Sequence, residues 1–403
     1  MAAGARKYRV NSAVNWIMVT RIMPSIDQFS SGARKCLTAF FLSLVPAVML
    51  CVAAGNALAD PIVIRIGYPG LGVDNRPFAY GGIASVAHAE RYIEKEFEND
   101  PDIKVEWTLF RGAGPAVNEA FASGQLDFSA GLGDLPAIVH RSNGIKTKWL
   151  AQSDVHTPIF LAVRKGVGIN GVDDLVGRKI AQFRGTNLQL AADRVLAAHG
   201  LTEKNVKFVN LDFAGAFAAI LSGNIDGAFG GVEVLELKRR GIIEIPYDTK
   251  NDKPEFSRAA GLYVTEEFEA KHPELVQRVV NAYIRAARWG ADEANREALY
   301  EVYAKSGIPT ESFREYFSGQ KLADRLNPLI DDFVVERYRD QTRRALDYGL
   351  LRKPVEVESW IDRRYLERAL AEQHLETYWP RSRADGTKLT EAASSADGKA
   401  QQR

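Results

Sequence analysis

The sequence predicts an α/β protein with two similar lobes, each a mostly parallel sheet flanked by helices, followed by an extended helical C-terminus. After Pro61, predicted strands alternate with helices, which is the rhythm of parallel sheets. A short segment also occurs twice, because Ser123-Gly124-Gln125-Leu126-Asp127 is echoed by Ser222-Gly223-Asn224-Ile225-Asp226. Each copy is predicted to end a helix, turn at Ser-Gly and run as a strand into a glycine loop. We therefore expect two lobes of one design.

The predicted elements fall into two similar sets. In the first lobe they are strand Ile62–Gly67, a helix near Ile83–Phe97, strand Ile103–Phe110, helix Pro115–Ser123 and strand Leu126–Ala130. In the second they are strand Arg178–Phe183, helix Asn187–Ala198, strand Val206–Leu211 and helices Ala214–Leu221 and Val232–Arg240. We expect the chain to pass between the lobes near Ile159–Val163 and to return near Ala259–Val264.

The pattern becomes helical after Thr265. Leu275, Val276, Val279, Val280 and Tyr283 are spaced to form one apolar face of a long helix. Residues 381–403 are polar, charged and small, which predicts disorder. The predicted divisions are residues 1–59 for an N-terminal extension and signal, 60–160 for the first part of lobe 1, 161–258 for lobe 2, 259–380 for the return to lobe 1 with the C-terminal helices, and 381–403 for the tail.

The N-terminal region has the features of a secretory signal peptide. An apolar run, Leu37–Val52, follows Arg34 and Lys35, and Ala57-Leu58-Ala59 supplies small residues at the positions that precede cleavage. The run is short for a membrane span and contains Pro46. We therefore expect cleavage after Ala59 and export to the periplasm.

Composition excludes several classes of function. The 52 Lys and Arg residues nearly balance the 51 Asp and Glu residues, which argues against a nucleic-acid partner. Both cysteines, Cys36 and Cys51, precede the predicted cleavage site, so the exported chain has no disulfide, thiolate metal site or cysteine nucleophile. The histidines fall at no metal-ligand spacing, and the motifs of metalloproteases, serine hydrolases and P-loop proteins are missing from the sequence. We predict no catalytic residues, no metal and no cofactor.

Four glycine loops join the end of a strand to the start of a helix: Arg111–Gly114, Gly131–Asp134, Arg184–Asn187 and Gly230–Glu233. Such loops open at the carboxyl ends of the strands, where open α/β sheets bind ligands. The first turn of a helix has unpaired N–H groups and a partial positive charge, which favour an anion. Each glycine could instead serve only a tight turn, and Asp134 and Asn187 could serve only as helix caps. Two matched pairs of loops in two lobes favour a ligand site.

Charged residues flank these loops. Arg111 and Arg184 precede their glycines at equivalent places and could clamp a sulfonate or a carboxylate, or could remain solvated charges. Asp212 and Glu233 would repel an anion directly. They are expected to cap helices or to meet a cationic or hydroxyl group of the ligand.

The chain resembles the periplasmic binding proteins for sulfonate, taurine and nitrate, from about Ile64 to Leu370. One segment that supports the resemblance is Val105–Leu135, with its small-Gly-Pro helix start, its Gly-x-Leu-Asp turn and its Gly-Asp-x-Pro loop. The other is Gly171–Leu201, with an Asp-Leu-x-Gly run before Gly185-Thr186. The stretch Gly70–Gly82 looks longer than is usual in that family.

The resemblance implies a two-lobed type II periplasmic binding protein fold, with the ligand in the cleft and an ABC permease of the inner membrane as partner. The expected ligand-binding residues, from the loops and from the resemblance together, are Tyr68, Arg111, Gly112, Ala113, Gly114, Gly133, Asp134, Arg184, Gly185, Thr186, Asn187, Asp212, Gly231 and Glu233.

The predicted function is that of a monomeric, non-enzymatic solute-binding protein of an ABC importer. Its expected ligand is a small organic anion. An aliphatic sulfonate or sulfate ester is favoured, and nitrate, taurine or a carboxylate is the less favoured expectation. Two alternatives stay open: an enzyme of the same fold, related to the pyrimidine-precursor synthases of thiamine biosynthesis, and an exported ligand-sensing domain for a membrane receptor.

Overall fold

A computed structural model of the protein describes residues 61–250 and 252–389. The predicted signal peptide, its cleavage site after Ala59, and residues 390–403 of the predicted tail lie outside the described residues. Within the described ranges, no helix combines the length and the apolar character that crossing a membrane requires.

Two five-stranded sheets form the centres of the two lobes. The strands are β1 (Ile62–Tyr68), β2 (Ile103–Leu109), β3 (Phe128–Gly133), β4 (Thr147–Thr157), β5 (Phe160–Arg164), β6 (Lys179–Gln182), β7 (Lys207–Asn210), β8 (Gly227–Gly230), β9 (Ile243–Asp248) and β10 (Arg258–Thr265). Lobe 1 has the order β2-β1-β3-β10-β4, and lobe 2 has the order β7-β6-β8-β5-β9. Both sheets are mixed: β1, β2 and β3 are parallel, as are β6, β7 and β8, whereas β10 and β5 run antiparallel to their neighbours.

Helices cover both sheets. They are α1 (Gly82–Ala89), α2 (Tyr92–Glu96), α3 (Ala113–Ala122), α4 (Asp134–Ser142), α5 (Asn187–Ala198), α6 (Phe213–Leu221), α7 (Val234–Arg239), α8 (Glu266–Lys271), α9 (Pro273–Ala291), α10 (Arg296–Ala304), α11 (Thr310–Phe317), α12 (Leu322–Arg325), α13 (Asp332–Asp347) and α14 (Arg364–Glu372). The predicted bounds of α5 agree with the structure. The single helix predicted near Ile83–Phe97 is instead two, because Arg91 adopts a left-handed backbone conformation with φ of 56° and interrupts it.

The internal echo has the same structure in both copies. Gly124 and Gly223 both have positive φ, 69° and 74°, as a turn after a helix requires. Asp127 then accepts a hydrogen bond at 2.9 Å from the backbone N–H of Arg65 in the neighbouring strand, and Asp226 accepts one at 2.9 Å from that of Lys179. The two lobes thus use one device to join a returning strand to its parallel neighbour.

The chain passes from lobe 1 to lobe 2 between β4 and β5, and returns between β9 and β10. The expected apolar face of α9 is buried against the first sheet in one core with Ile64, Ile66 and Phe128. On the other side of that sheet, Trp149 packs against Tyr263, Tyr338 and Trp360 in a second core. Helices of the C-terminal region therefore contribute to both cores of lobe 1, and Glu315 and Asp340 also pair with Lys238 and Arg194 of lobe 2.

Residues 381–389 differ from the prediction of disorder. Ser382 and Lys388 form an antiparallel bridge, so this segment folds back on itself. The backbone N–H of Ser382 donates to Asp331 at 2.8 Å, and the ammonium of Lys388 lies 2.8 Å from a carboxylate oxygen of Asp324. The partners of this polar segment come from elements distant in sequence, so composition alone did not reveal them.

Candidate functional site

A cavity of about 670 Å³ lies between the two lobes. The three parallel strands of each lobe end at this cavity. The residues that line it at or just after those ends are Tyr68, Arg111 and Gly133 in lobe 1 and Phe183, Asp212 and Val232 in lobe 2. Ligand sites of open α/β sheets lie at the carboxyl ends of the strands, so this is the candidate binding site.

The structure brings most of the predicted site residues to the cavity and leaves the others outside it. The residues that line the cavity are Tyr68, Arg111, Ala113, Gly114, Gly133, Thr186, Asn187, Asp212 and Glu233. The residues that do not are Gly112, Asp134, Arg184, Gly185 and Gly231.

Three of the loop glycines allow close packing of protein against protein. A Cβ atom on Gly114 would lie 2.4 Å from the ring of Pro136, at the start of the neighbouring helix. One on Gly133 would lie 2.8 Å from the side chain of Asn187, and one on Gly185 would lie 2.9 Å from Pro115, in each case across the cleft. These two contacts let the lobes approach each other where a larger residue would hold them apart.

Thr186 is a helix cap whose hydroxyl is already bonded. The hydroxyl donates to the carbonyl of Phe183 at 2.6 Å and accepts from the N–H of Leu188 at 3.3 Å. The side chain of Asn187 reaches across the cleft to the carbonyl of Ala259, with 3.4 Å between the atoms. In this conformation the hydroxyl hydrogen of Thr186 is therefore engaged within the loop rather than directed at a ligand.

Asp134 is buried beside the cavity and holds the fold together. Its carboxylate accepts from the N–H groups of Leu135 at 2.8 Å and Ala259 at 3.2 Å, and from the amide of Gln341 at 2.7 Å. Burial raises the pKa of this carboxyl, and Arg337 opposes the rise. Asp134 thus ties the start of α4 to the returning strand and to α13.

The two arginines do not form the symmetric clamp that the sequence suggested. Arg184 lies outside the cavity and pairs with Glu203 at 2.8 Å. Arg111 stays at the cavity and pairs across the cleft with Asp212 at 3.4 Å. The carboxylate of Asp212 also accepts from the N–H of Gly215 at 2.8 Å, and so caps α6. The positions are equivalent in sequence, but each arginine pairs with the nearest carboxylate.

Glu233, in lobe 2, joins the two lobes through a hydrogen bond to Tyr80. One carboxylate oxygen accepts from the N–H of Gly231 at 2.5 Å, and the other accepts from the hydroxyl of Tyr80, in lobe 1, at 3.0 Å. Burial, together with the negative charge of Glu233, raises the pKa of Tyr80 well above its ordinary value. The phenol therefore stays protonated and remains a donor to Glu233. The hydroxyl of Tyr68, another predicted site residue, bonds to Ser85 at 3.1 Å and to the carbonyl of Tyr80 at 3.2 Å.

Sequence reasoning missed the charged residues at the base of the cavity: Arg258 at the start of β10, Asp154 on β4 and Arg325 on α12. None of them lies in a glycine loop. Arg258 is the first residue of an otherwise apolar strand, and this lone charge next to Ala259-Ala260 was the available signal. A charge at the start of a strand is not by itself a site signal, and only the position of Arg258 between the lobes places it at the cavity.

Arg258 is held loosely by the protein. Its Nη2 donates to the carbonyl of Pro158 at 3.3 Å, and its buried Nε has no hydrogen-bond partner among the described residues. Burial lowers the pKa of this guanidinium, but Tyr316, Glu233 and Asp154 together raise it above its ordinary value, so the charge is retained. Burial in turn raises the pKa of Asp154.

Arg325 is bound more tightly. Its side chain stacks on the rings of Tyr316 and Phe317, at 4.9 and 4.6 Å, and Nη1 donates to Gln320 at 2.6 Å. Like that of Arg258, its buried Nε has no hydrogen-bond partner among the described residues.

Comparison with known proteins identifies a sequence family and a similar solved structure. Residues 93–295, half of the chain, match the NMT1/THI5-like family. The structure of the periplasmic sulfonate-binding protein SsuA from Methylobacillus flagellatus is similar with a TM-score of 0.69 and 31% identity, over 80% of this chain and 98% of that one.

The chain belongs to the NMT1/THI5-like family. The resemblance predicted from the two sequence segments is thereby confirmed, as is the two-lobed periplasmic binding protein fold. The alkanesulfonate-binding protein SsuA from Xanthomonas axonopodis pv. citri, bound to MOPS, has the same fold, with a TM-score of 0.62 at 23% identity over 76% of this chain and 99% of that one.

An enzyme also resembles part of the chain. The 2'-hydroxybiphenyl-2-sulfinate desulfinase of Rhodococcus erythropolis is 24% identical over 161 residues, which is 39% of this chain and 42% of the enzyme. The chain thus matches less than half the length of that enzyme. Binding proteins and an enzyme are both similar to this chain.

Proposed function

We propose that this protein is a periplasmic solute-binding protein that captures a small organic anion between its lobes and delivers it to an ABC permease. The observation that supports this most is the convergence of the parallel strand ends of both lobes on one cavity of about 670 Å³. Two chain crossings between lobes allow the cleft to open and close around a ligand.

The anionic character of the ligand follows from the donors at the cavity. The starts of α3 and α5 lie at the cavity from opposite lobes, through Gly114 and Thr186-Asn187, and the first turn of a helix has backbone N–H groups without an intrahelical partner. Arg258 adds a charged donor with an unpartnered nitrogen. These donors suit a group that is ionised at every physiological pH. A sulfonate or sulfate ester is the favoured ligand, and nitrate or a carboxylate is less favoured.

A thermal-shift screen of the exported chain tests this proposal. Each anion is paired with its neutral counterpart, for example ethanesulfonate with ethanesulfonamide. Binding stabilises the folded form by mass action. We therefore expect the anion to raise the melting temperature and the sulfonamide to leave it unchanged. Stabilisation by neutral or cationic compounds alone would contradict the proposal.

The desulfinase similarity makes an enzyme the second candidate. The sequence after Cys51 contains no cysteine, so a thiolate in the cleft is not part of this chain's chemistry. Incubation of the protein with 2'-hydroxybiphenyl-2-sulfinate and assay of released sulfite separates the two candidates. We expect no sulfite above the protein-free rate, and sustained turnover would establish an enzyme.

Export is tested by N-terminal sequencing of protein recovered from the periplasm. We expect Asp60 to be the first residue. A lipidated chain that begins at Cys51 would instead indicate a membrane-anchored form.

A further inference from the structure

Helix α6 is apolar on all sides, although one side faces the cavity. Ala216 and Ile220 are buried in lobe 2. The cavity side carries Phe213, Ala214, Phe217, Ala218 and Leu221. Leu221 is 58% exposed, although helices that border water usually have polar residues on the outer side. A contiguous apolar patch inside a ligand cleft indicates a site for the apolar part of a ligand.

This apolar patch of α6, here called the α6 wall, is rich in aromatic rings. Phe183, at the end of β6, lies edge-on to Phe213, with ring centroids 5.7 Å apart and planes at 88°. Phe183, Phe213 and Phe217 are all only half-buried, so their ring surfaces are open to the cavity. Edge and face contacts of this kind favour another aromatic ring over an alkyl group of equal area.

The base of the cavity provides the opposite chemistry. Arg258 has the unpartnered Nε described above, and both oxygens of the neighbouring Glu233 already accept hydrogen bonds, from Gly231 and Tyr80. Arg325 also has an unpartnered Nε, but its guanidinium is stacked on two rings, whereas Arg258 has one long hydrogen bond, to Pro158. Arg258 is therefore the more available of these two donors, while Glu233 is satisfied without a ligand.

We propose that the ligand is an aromatic sulfonate or a related aryl anion, with its single anionic group on Arg258 and its ring against Phe183, Phe213 and Phe217. This inference rests on the proposed function and narrows it, since a short aliphatic sulfonate leaves the α6 wall uncovered. A volume of about 670 Å³ lies within the range of pockets for ligands much larger than ethanesulfonate.

The first test compares two probes on the unmutated protein by calorimetry: 2-naphthalenesulfonate and ethanesulfonate. They share the anionic group and differ in apolar area. We expect 2-naphthalenesulfonate to bind at least about tenfold more tightly. Equal affinity, or a preference for ethanesulfonate, would overturn the aryl inference and leave the proposed function standing. Binding of neither probe, together with no response to other sulfonates, sulfate esters, nitrate or carboxylates, would refute both.

The second test assigns the two ends of the ligand. Phe217→Ala should weaken the binding of 2-naphthalenesulfonate by about tenfold and leave the affinity for ethanesulfonate nearly unchanged. Arg258→Gln should weaken both probes, by roughly ten- to a hundredfold, because it removes a charged donor. Leu346→Ala and Arg343→Gln are matched controls, since both side chains are exposed and lie outside the cavity.

Melting curves without ligand accompany each variant, because Arg258 is partly buried. If Arg258→Gln does not fold, Phe217→Ala and the probe comparison still decide the inference. If Phe217→Ala lowers the affinity for both probes equally, the assignment of the ligand's ring to the α6 wall is contradicted.

Discussion

The hydrogen bond between Tyr80 and Glu233 crosses the cleft, and Tyr80→Phe should shift the protein toward an open form. The bond is 3.0 Å long, and Glu233 is only 7% exposed in this structure. A hydrogen bond to a charged group contributes about 1.5–3 kcal/mol. In the open form water can replace the lost phenol, so the loss falls on closure rather than on folding. We expect the closed-to-open ratio to fall by roughly ten- to a hundredfold.

Two measurements together detect this shift. If the unliganded protein is mostly closed, small-angle scattering should show a larger radius of gyration for Tyr80→Phe. If it is mostly open, calorimetry should show weaker binding, because apparent affinity scales with the fraction in the binding-competent form. The melting temperature without ligand should change little in either case.

Tyr365→Phe is the matched control. Its hydroxyl donates to Glu269 at 2.6 Å, a tyrosine–carboxylate bond contained within lobe 1. That variant should leave both scattering and affinity unchanged. If Tyr80→Phe also changes neither, or if it lowers the unliganded melting temperature as its main effect, the assignment of this bond to closure is refuted.

Three other substitutions have effects that the structure specifies. Thr186→Ala removes the cap of α5 and should lower the free energy of unfolding by about 1 kcal/mol in urea denaturation, in addition to any loss of affinity; unchanged stability would show that the cap is dispensable. Gly114→Val should cost about 1–3 kcal/mol, because its side chain meets Pro136, and a stable variant with lost binding would instead favour direct contact between ligand and backbone. Burial and the neighbouring Glu203 raise the pKa of Asp193, so the folded chain keeps a proton that the unfolded chain releases above about pH 4. Stability should therefore fall as the pH rises from there toward neutrality, and Asp193→Asn should flatten that slope in melts at several pH values; an unchanged slope would assign it to other groups.

Much of the architecture was predictable because its signals are local. Helix α5 has a capping threonine before it and a glycine after it, and its predicted bounds agree with the structure. The echo around Gly124 and Gly223 predicted two lobes, and the two aspartates that follow form equivalent hydrogen bonds. The strand-to-helix loops predicted the location of the cavity, since the carboxyl ends of parallel strands meet at one edge of a sheet.

The partners of individual side chains were not predictable in the same way. Asp134 and Arg184 lie in loops of the predicted kind, but the first bonds to Gln341 and the second to Glu203, so neither faces the cavity. Burial and competing partners decide where a charged side chain points, and both depend on residues far away in sequence.

The sequence by itself determined the two-lobed α/β plan, the strand-to-helix loops at the cleft and the helical C-terminus, because periodicity, glycine turns and helix caps act over a few residues. Only the tertiary structure decided which charges belong to the cavity. Arg258, Asp154 and Arg325 come from the returning strand, from the last strand before the first crossing and from a C-terminal helix, and they meet only after the chain has passed between the lobes twice. The apolar wall of α6 has the same origin, since an apolar helix is ordinary in a core and becomes a binding surface only where one of its sides is left facing a cleft.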